Sequence, residues 1–259
     1  MKRLSTALRK PFDWLRRGLR ASGYDLVRYR ALPHDLDPEI ARTVERVRDY
    51  TMTSPLRIAA LCESVRYLVE AGIDGDFVEC GVWRGGSMMA VAQTLVRLGD
   101  RTRELYLFDT FEGMTAPGAL DVSLTGERAE DLLAAQSDRT SAESVWCEAP
   151  LAAVRSALAG TGYPAEKLHF VQGRVEDTLP GQAPGRIAML RLDTDWYEST
   201  SHELEHLYPR LVPGGVLIID DYGHWQGARR AVDEYISRHR LPLMLHRIDY
   251  SGRCAIKAG

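Results

Sequence analysis

The sequence predicts an α/β domain built on a doubly wound, seven-stranded sheet. Short apolar segments alternate five times with helical segments, and this alternation is typical of parallel strands joined by helices. Two further apolar segments, on either side of Ser251-Gly252, predict a strand pair that closes the sheet. A chain of 259 residues is long enough for one such domain plus a helical extension.

The individual elements follow from short apolar runs and from local start and stop signals. Predicted strands cover 77–80, 104–108, 168–172, 187–192 and 216–219, with the closing pair at 243–248 and 254–257. The run 187–192 is almost purely apolar, as expected of a central parallel strand. Predicted helices cover 38–50, 55–71, 127–136, 151–159, 197–211 and 225–238. Ser54 is predicted to cap the second of these, with Pro55 at its first position.

The domain organisation predicted from these elements has three parts. Residues 1–50 form a helical extension, residues 51–259 form the α/β domain, and residues 110–148 form a lid within it. The lid is predicted because this polar, glycine-containing segment is too long for an ordinary connection between a strand and a helix.

The N-terminal extension begins with a basic, amphipathic pattern. Its apolar residues recur at helical spacing, namely Leu4, Leu8, Phe12, Leu15 and Leu19. We expect a helix that packs on the core or on a second subunit, so a homodimer or higher homo-oligomer is predicted. A peripheral membrane or partner contact is the alternative.

Composition excludes several classes of protein. The net charge of −3 argues against a nucleic-acid-binding protein. No run of 18 apolar residues is present, which argues against integral membrane contact, and the N-terminus lacks the apolar region of a signal peptide. The cysteines are scattered without a CxxC pair, so reduced thiols in a cytoplasmic protein are expected; they are Cys62, Cys80, Cys147 and Cys254.

The most informative stretch is 76–89, where a short strand leads through a glycine turn into a helix that runs to Leu98. Glycines at 81, 85 and 86 allow a ligand to approach the backbone, and the helix N-terminus offers unpaired N–H groups. Glu79 ends the strand and disfavours a phosphate beside it. The turn is therefore interpreted as a site for a cationic, amine-bearing nucleotide ligand, S-adenosylmethionine (SAM), rather than NAD or ATP.

Asp109 supports this interpretation, because it follows the second strand. In a doubly wound sheet, an acid at this place lies beside the ribose of the cofactor and can accept hydrogen bonds from its hydroxyls. The alternative is a loop acid that caps a turn.

A second group of acids follows the fourth and fifth strands. Asp193 ends one, Asp220 and Asp221 end the other, and neighbouring parallel strands bring their tips together. Carboxylates so close would repel each other unless a cation lay among them. Oxygen ligands favour a hard ion, so Mg²⁺ is predicted first, and Ca²⁺ or Mn²⁺ next. The alternative is that Asp221 caps a helix.

Other polar and aromatic residues surround this acidic group. Asp195 is predicted either to cap the following helix or to act in catalysis. Candidate substrate contacts are Trp196, Tyr197, Tyr222 and His224, with core packing as the alternative for the aromatic residues.

Five segments together resemble the macrocin (TylF-type) O-methyltransferase family. They are YTMTSP at 50–55, FVECGVWRGGSMM at 77–89, LFDTFEGM at 107–114, LDTDWYEST at 192–200 and PGGVLIIDDYG at 213–223. The resemblance covers about residue 50 to the C-terminus. It implies the Rossmann-like fold of class I methyltransferases and a SAM- and Mg²⁺-dependent enzyme that methylates sugar hydroxyls of macrolides, aminocoumarins and related natural products.

The resemblance also implies roles for individual residues. Asp193, Asp220 and Asp221 would hold the metal. The SAM site would contain Met52, Thr53, Glu79, Gly81, Gly85, Ser87 and Asp109, to which we add Cys80, Gly86 and Arg174. Some family members use a lid histidine as general base, but residues 110–148 contain none. Asp195 matches the aspartate that other members use, so Asp195, together with Asp193, is the candidate catalytic residue.

The resulting hypothesis is that vicinal sugar hydroxyls chelate Mg²⁺, Asp195 accepts a proton, and the alkoxide attacks the SAM methyl group. A catechol-type O-methyltransferase acting on an aromatic diol is one alternative. A SAM-binding relative that does not methylate is another.

Overall fold

A seven-stranded sheet organises this protein in the computed structural model, which describes residues 22, 32–33, 35–141 and 144–259. The strands are β1 (Asp76–Cys80), β2 (Leu105–Asp109), β3 (Leu168–Gln172), β4 (Ile187–Leu192), β5 (Leu211–Ile219), β6 (His246–Arg247) and β7 (Arg253–Ile256). Their order across the sheet is β3-β2-β1-β4-β5-β7-β6. The first five strands are parallel, and β7 pairs antiparallel with both β5 and β6. The predicted doubly wound α/β fold is confirmed.

The helices of the described residues pack in two groups. They are α1 (Pro38–Val47), α2 (Pro55–Glu70), α3 (Gly86–Leu98), α4 (Ala129–Ala135), α5 (Leu151–Ala159), α6 (Val175–Thr178), α7 (Tyr197–Leu207) and α8 (Gln226–His239). Helices α1, α2, α3 and α5 contact one another, and α6, α7 and α8 form the second group. Leu204 of α7 and Val232 of α8 share a buried apolar cluster with Val78 and Leu190 of the sheet.

Residues 36–259 form one compact unit, which includes α1. Helix α1 packs against α2 and α3, and Asp37 caps its N-terminus by accepting a hydrogen bond from the Glu39 amide at 2.7 Å. The amphipathic pattern predicted between Leu4 and Leu19 lies outside the described residues. Among the helices described, none has the length and apolar character needed to cross a membrane.

The strand register brings the predicted site residues to one edge of the sheet. Cys80 of β1 lies opposite Phe108 of β2 and Leu192 of β4, and Leu192 lies opposite Ile219 of β5. Each of these residues is the last or the penultimate residue of its strand, so the polar residues that follow share the carboxyl edge.

The glycine turn after β1 depends on close backbone contact. A Cβ atom at Gly81 would lie 2.0 Å from the carbonyl oxygen of Asp193, and Gly81 has a φ of +83°. A Cβ atom at Gly86 would lie 2.6 Å from the carbonyl oxygen of Tyr50. Only glycine therefore allows the turn to lie against the end of β4 and against the loop before α2.

Several predicted boundaries were wrong. Strand β5 begins at Leu211, so the Pro213-Gly214-Gly215 segment belongs to the strand and α7 ends four residues earlier than predicted. Strand β6 has only two residues, and the short helix α6 was not predicted. The predicted cap of α2 is confirmed, because Ser54 Oγ accepts a hydrogen bond from the Arg57 amide at 3.2 Å.

Candidate active site

A cavity of about 360 Å³ opens at the carboxyl edge of the sheet. Residues after β1, β2, β3, β4 and β5 line it, together with the loop before α2 and parts of the lid. Ten of the fourteen residues predicted for catalysis, cofactor binding and metal binding line this cavity, and they are Met52, Thr53, Gly81, Ser87, Asp109, Arg174, Asp193, Asp195, Asp220 and Asp221. Trp196 and His224 line it as well.

Three acids converge in this cavity as the sequence predicts. Asp193, Asp220 and Asp221 each offer a carboxylate oxygen, and these oxygens lie within 4.8 Å of one another. Burial raises the pKa of Asp193 and of Asp221 well above the usual range, and the neighbouring carboxylates raise both further. An all-oxygen donor set with mutually repelling charges fits a hard divalent cation.

Arg191 compensates part of this negative charge and was not anticipated. It lies in the apolar strand β4 with only 2% of its surface exposed. Its Nη1 donates to Glu79 Oε1 at 2.6 Å and contacts Asp193 Oδ2 at 2.7 Å, while its Nη2 donates to Asp220 Oδ1 at 2.7 Å. Burying an unpaired arginine is costly. An arginine inside an otherwise apolar strand was therefore the feature of the sequence that could have predicted a buried ion pair.

Arg57, on the first turn of α2, is a second unanticipated cation at the acids. Its Nη1 donates to Asp220 Oδ2, and its Nε donates to Asp249 Oδ2 at 3.0 Å. Both oxygens of Asp220 are therefore contacted by arginines from different elements. Asp249 lies in the loop between β6 and β7, so the C-terminal strand pair also supports the site.

Asp195 lies in the cavity beside the candidate metal ligands and the tryptophans that line it. It has a left-handed backbone with φ of +68°, which aspartate adopts more readily than most residues. Burial, followed by the charge of Asp193, raises the pKa of Asp195 to about 7, although hydrogen bonds from the Asp221 and Trp225 side chains lower it. Asp195 can thus exchange a proton near neutral pH.

Glu203 of α7 holds the turn that carries Asp193 and Asp195. Glu203 is fully buried, and its Oε1 accepts a hydrogen bond from Thr194 Oγ1 at 2.9 Å. Cys80 packs with Leu204 and Leu207 of α7 in the buried apolar cluster on this side of the sheet. Cys80, predicted to contact the cofactor, therefore points to the α7 side of the sheet, because side chains alternate along a strand. This orientation does not support a contact between the Cys80 side chain and the cofactor.

Glu79 faces the opposite side of β1 from Cys80 and is not among the residues that line the cavity. The interpretation of Glu79 as a ligand contact supposed a free carboxylate. In the structure, its Oε1 is paired with Arg191. Oε2 is buried and has no hydrogen-bond partner among the described residues. Burial raises the pKa of Glu79 to about 7 despite Arg191. An orphaned carboxylate oxygen at the end of β1 fits the ammonium group of SAM.

Asp109 organises the glycine turn. Its Oδ2 accepts hydrogen bonds from the amides of Val82 at 2.6 Å and Trp83 at 2.9 Å, and its Oδ1 accepts from the Phe111 amide at 2.7 Å. Both oxygens are thus already engaged with backbone. The carboxylate stabilises the turn, which was the alternative interpretation. Oδ1 also accepts from the Thr110 hydroxyl at 3.4 Å, so a ribose hydroxyl would compete with this long hydrogen bond.

The other two glycines of the turn shape it from outside the cavity. Gly85 is the N-cap of α3, has a φ of +87° and packs on Leu158 of α5. Gly86 packs on the Tyr50 carbonyl, as described above. Neither lines the cavity, so in this structure they support the turn, and their direct contact with the cofactor stays a prediction.

The predicted substrate residues separate into two groups. Trp196 and His224 line the cavity, whereas Tyr197 and Tyr222 direct their hydroxyls to Glu234 and Asp233 of α8, each at 2.7 Å. Neither tyrosine lines the cavity, and their contact with a substrate stays a prediction. Burial and the Arg57 guanidinium lower the pKa of His224, which keeps its imidazole neutral at pH 7.

The first half of the lid is attached to the domain by hydrogen bonds. The Trp196 indole donates to the Thr115 carbonyl at 3.1 Å, and the Tyr197 amide donates to Asp121 Oδ1 at 2.8 Å. Asp121, which sequence reasoning missed, therefore caps the N-terminus of α7 from the lid. Ser144, Val145 and Cys147 from the second half of the lid line the cavity.

Comparisons with known proteins agree with this geometry. Residues 38–255 match the family model for macrocin O-methyltransferase (TylF). The chain is 36% identical over 218 residues to a tetracenomycin rhamnosyl 4′-O-methyltransferase of Streptomyces olivaceus, covering 84% of this chain and 79% of the relative. It is 32% identical over 203 residues to mycinamicin III 3″-O-methyltransferase of Micromonospora griseorubida, covering 78% and 76%.

Solved structures give the same result. The O-methyltransferase NovP superposes with a TM-score of 0.71 at 28% identity, covering 81% of this chain and 83% of that protein. The calicheamicin methyltransferase CalS11 superposes with a TM-score of 0.61 at 20% identity and covers 90% and 98%, which supports the fold. The resemblance recognised in the sequence motifs is confirmed: the chain belongs to the macrocin O-methyltransferase family and is a SAM-dependent O-methyltransferase.

Proposed function

We propose that this enzyme transfers the methyl group of SAM to a sugar hydroxyl of a glycosylated natural product, with Mg²⁺ held by Asp193, Asp220 and Asp221. The observation that carries the proposal is the convergence of these three carboxylates and Asp195 in the cavity that also contains the glycine turn. The relative named as a rhamnosyl-tetracenomycin 4′-O-methyltransferase supports a glycoside acceptor. The relatives named as O-methyltransferases of mycinamicin III and of demethyldecarbamoylnovobiocin support a natural product as the acceptor.

The glycine turn holds the methyl donor. The N-terminus of α3, which has no side-chain cap, offers backbone N–H groups to the donor's carboxylate, and the orphaned Glu79 Oε2 offers a partner to the donor's ammonium group. Met52, Thr53 and Ser87 line the same part of the cavity, and Arg174 lies at its β3 edge. These groups orient SAM, and orientation is the main contribution that a protein makes to a methyl transfer.

The acidic half of the cavity activates the acceptor. Bound Mg²⁺ would supply Lewis acidity that lowers the pKa of the acceptor hydroxyl. Asp195 accepts the proton of that hydroxyl on its carboxylate, and a pKa near 7 suits this role at neutral pH. Trp196 and the lid residues Val145 and Cys147 cover the site and exclude water from the transfer.

A substrate panel tests the acceptor class. Methyl transfer from labelled SAM is measured with deoxysugar glycosides of polyketide or aminocoumarin aglycones, and with catechols of similar size. We expect transfer to glycosides. Transfer to catechols alone would show that the same metal chemistry serves an aromatic diol.

A variant pair tests the metal site. Asp193→Ala should abolish methyl transfer while S-adenosylhomocysteine (SAH) still binds, whereas Asp74→Ala, at an exposed turn before β1, should leave both unchanged. Turnover that survives in Asp193→Ala would contradict the metal assignment.

A further inference from the structure

Arg57 places a permanent positive charge beside the metal candidates. It lies on the first turn of α2, its side chain is 10% exposed, and it lines the cavity. Its Nη1 donates to Asp220 Oδ2, one of the two oxygens that Asp220 could offer to a metal. A guanidinium does not lose its proton at physiological pH, so this charge persists whether or not a metal is bound.

The guanidinium is held in place by a dedicated anchor. Asp249 Oδ2 accepts hydrogen bonds from Arg57 Nε at 3.0 Å and from Ser54 Oγ at 2.6 Å. Asp249 Oδ1 accepts from the amides of Ser251 at 2.9 Å and Gly252 at 2.7 Å. A Cβ atom at Gly252 would lie 2.7 Å from Arg57 Cδ, so the loop between β6 and β7 packs directly on the arginine stem.

Asp220 does not depend on Arg57 alone. Arg191 Nη2 donates to its Oδ1 at 2.7 Å, and Ser251 Oγ donates to its backbone carbonyl at 2.6 Å. If the Arg57 charge is removed, Arg191 still holds the Asp220 carboxylate and Ser251 still holds the Asp220 backbone. The effect of the Arg57 charge can therefore be separated from the positioning of the ligand.

We propose that Arg57 is a resident counter-ion of the acidic cluster, which neutralises Asp220 in the metal-free enzyme and lowers the affinity of the cluster for a divalent cation. The inference rests on the metal site of the proposed function. A positive charge within contact distance of a ligand oxygen repels an incoming cation and competes for that oxygen. The consequence is a metal site that remains assembled without metal and binds its ion reversibly.

The test measures metal binding directly, without SAM, acceptor or turnover. Metal-stripped full-length protein is titrated with Mg²⁺ by calorimetry and with Mn²⁺ by electron paramagnetic resonance. Arg57→Met keeps much of the stem but removes the charge, and we expect it to bind either ion about tenfold or more tightly than the parent chain. Arg57→Lys retains the charge and should bind within about threefold of the parent.

Arg66→Met is the matched control, because Arg66 lies on the same helix and pairs with Asp37 at 3.5 Å, away from the cavity. It should bind metal like the parent. The rise in Tm on adding Mg²⁺ should be larger in Arg57→Met than in the parent, since tighter binding to the folded state stabilises it more.

The outcomes separate this inference from the proposed function. If the parent binds a divalent cation and Arg57→Met binds it equally or more weakly, Arg57 positions Asp220 and the counter-ion role is overturned while the metal site stands. If the parent binds no divalent cation, both are overturned. Circular dichroism checks that each variant is folded. If Arg57→Met is unfolded, Arg57→Gln is used in its place. If neither neutral variant folds, the charge is a requirement of the fold and the inference is overturned.

Discussion

Asp195 illustrates how burial and neighbouring charge tune one side chain for proton transfer. It precedes helix α7, its backbone is left-handed, and it lines the cavity together with Asp193 and Asp221. Its pKa is raised to about 7, first by burial and then by Asp193. The group is therefore poised between its protonated and ionised forms at neutral pH.

Because the base must be ionised to accept a proton, kcat/KM should rise with pH through a limb at or below about pH 7. A bound cation offsets the charge of Asp193 and moves this limb to lower pH. Asp195→Asn should remove the limb and lower kcat about 10²- to 10³-fold. The pH profile of Asp177→Asn, an exposed acid on α6, should match the parent. A limb that persists in Asp195→Asn would assign the proton transfer to another group.

Glu79 and Arg191 form a buried ion pair that links the two halves of the cavity. Arg191 uses one nitrogen to contact both Glu79 and Asp193, so the donor half and the acidic half of the cavity share one buried cation. Glu79 keeps a second oxygen without a partner among the described residues. The ion pair with Arg191 partly compensates the charge of Glu79, and it leaves Oε2 available to a ligand.

Glu79→Gln should weaken SAH binding about 10- to 100-fold, because a neutral amide replaces a charged acceptor for the ligand ammonium. Calorimetry with SAH checks this. Glu63→Gln, at an exposed position of α2, is the control and should bind SAH like the parent. Unchanged affinity in Glu79→Gln would place the ammonium elsewhere.

At the scale of elements, the first half of the lid behaves as part of the domain. The Leu124 amide donates to the His224 carbonyl at 2.7 Å, and the Gln226 amide donates to the Val122 carbonyl at 2.9 Å. Asp121 is 2% exposed, and its two oxygens accept from the amides of Tyr197 and Gly118. The lid thus caps α7, the helix that follows Asp195.

Asp121→Ala should destabilise the protein by about 1–3 kcal/mol, since a buried helix cap is lost and amides are left unpaired. Denaturant unfolding measures the loss. Hydrogen exchange should increase at 114–128 and at the start of α7. Asp131→Ala, on the exposed first turn of α4, should have a small effect. Equal stability of the two variants would show that the lid is not anchored through Asp121.

At the scale of the whole molecule, the acidic cluster joins parts of the chain that are distant in sequence. Arg191 connects β4 with β1 and β5, and Arg57 connects α2 with β5 and with the C-terminal loop. Two arginines thus compensate the acids from inside the protein. The fold should therefore survive without a metal.

Chelation should abolish methyl transfer but leave the protein folded and able to bind SAH, with a modest decrease in Tm. Excess EDTA followed by dialysis prepares the metal-free protein, and added Mg²⁺ should restore turnover. Full activity in excess EDTA would contradict the metal requirement, whereas unfolding in EDTA would show that Arg57 and Arg191 do not suffice to stabilise the acids.

Local patterns predicted most strands, because each is a short apolar run that ends at a glycine or an acid. β5 is the exception, since Pro213 and Gly214 normally signal a loop and tertiary pairing with β4 and Lys257 overrides that preference. Tyr197 and Tyr222 direct their hydroxyls to α8 rather than into the cavity, because adjacency in sequence does not determine which way a side chain points.

The sequence by itself determined the family, the fold class and the acids at the ends of β1, β2, β4 and β5, since the succession of elements along the chain and the residues that follow each strand are local features. Only the tertiary structure decided how those acids are paired. Arg57, Arg191 and Asp249 are distant from their partners in sequence, and nothing in their immediate neighbours predicts a long-range ion pair. Charge compensation in a buried site is a property of three-dimensional packing, so it became visible when the strands and helices were assembled.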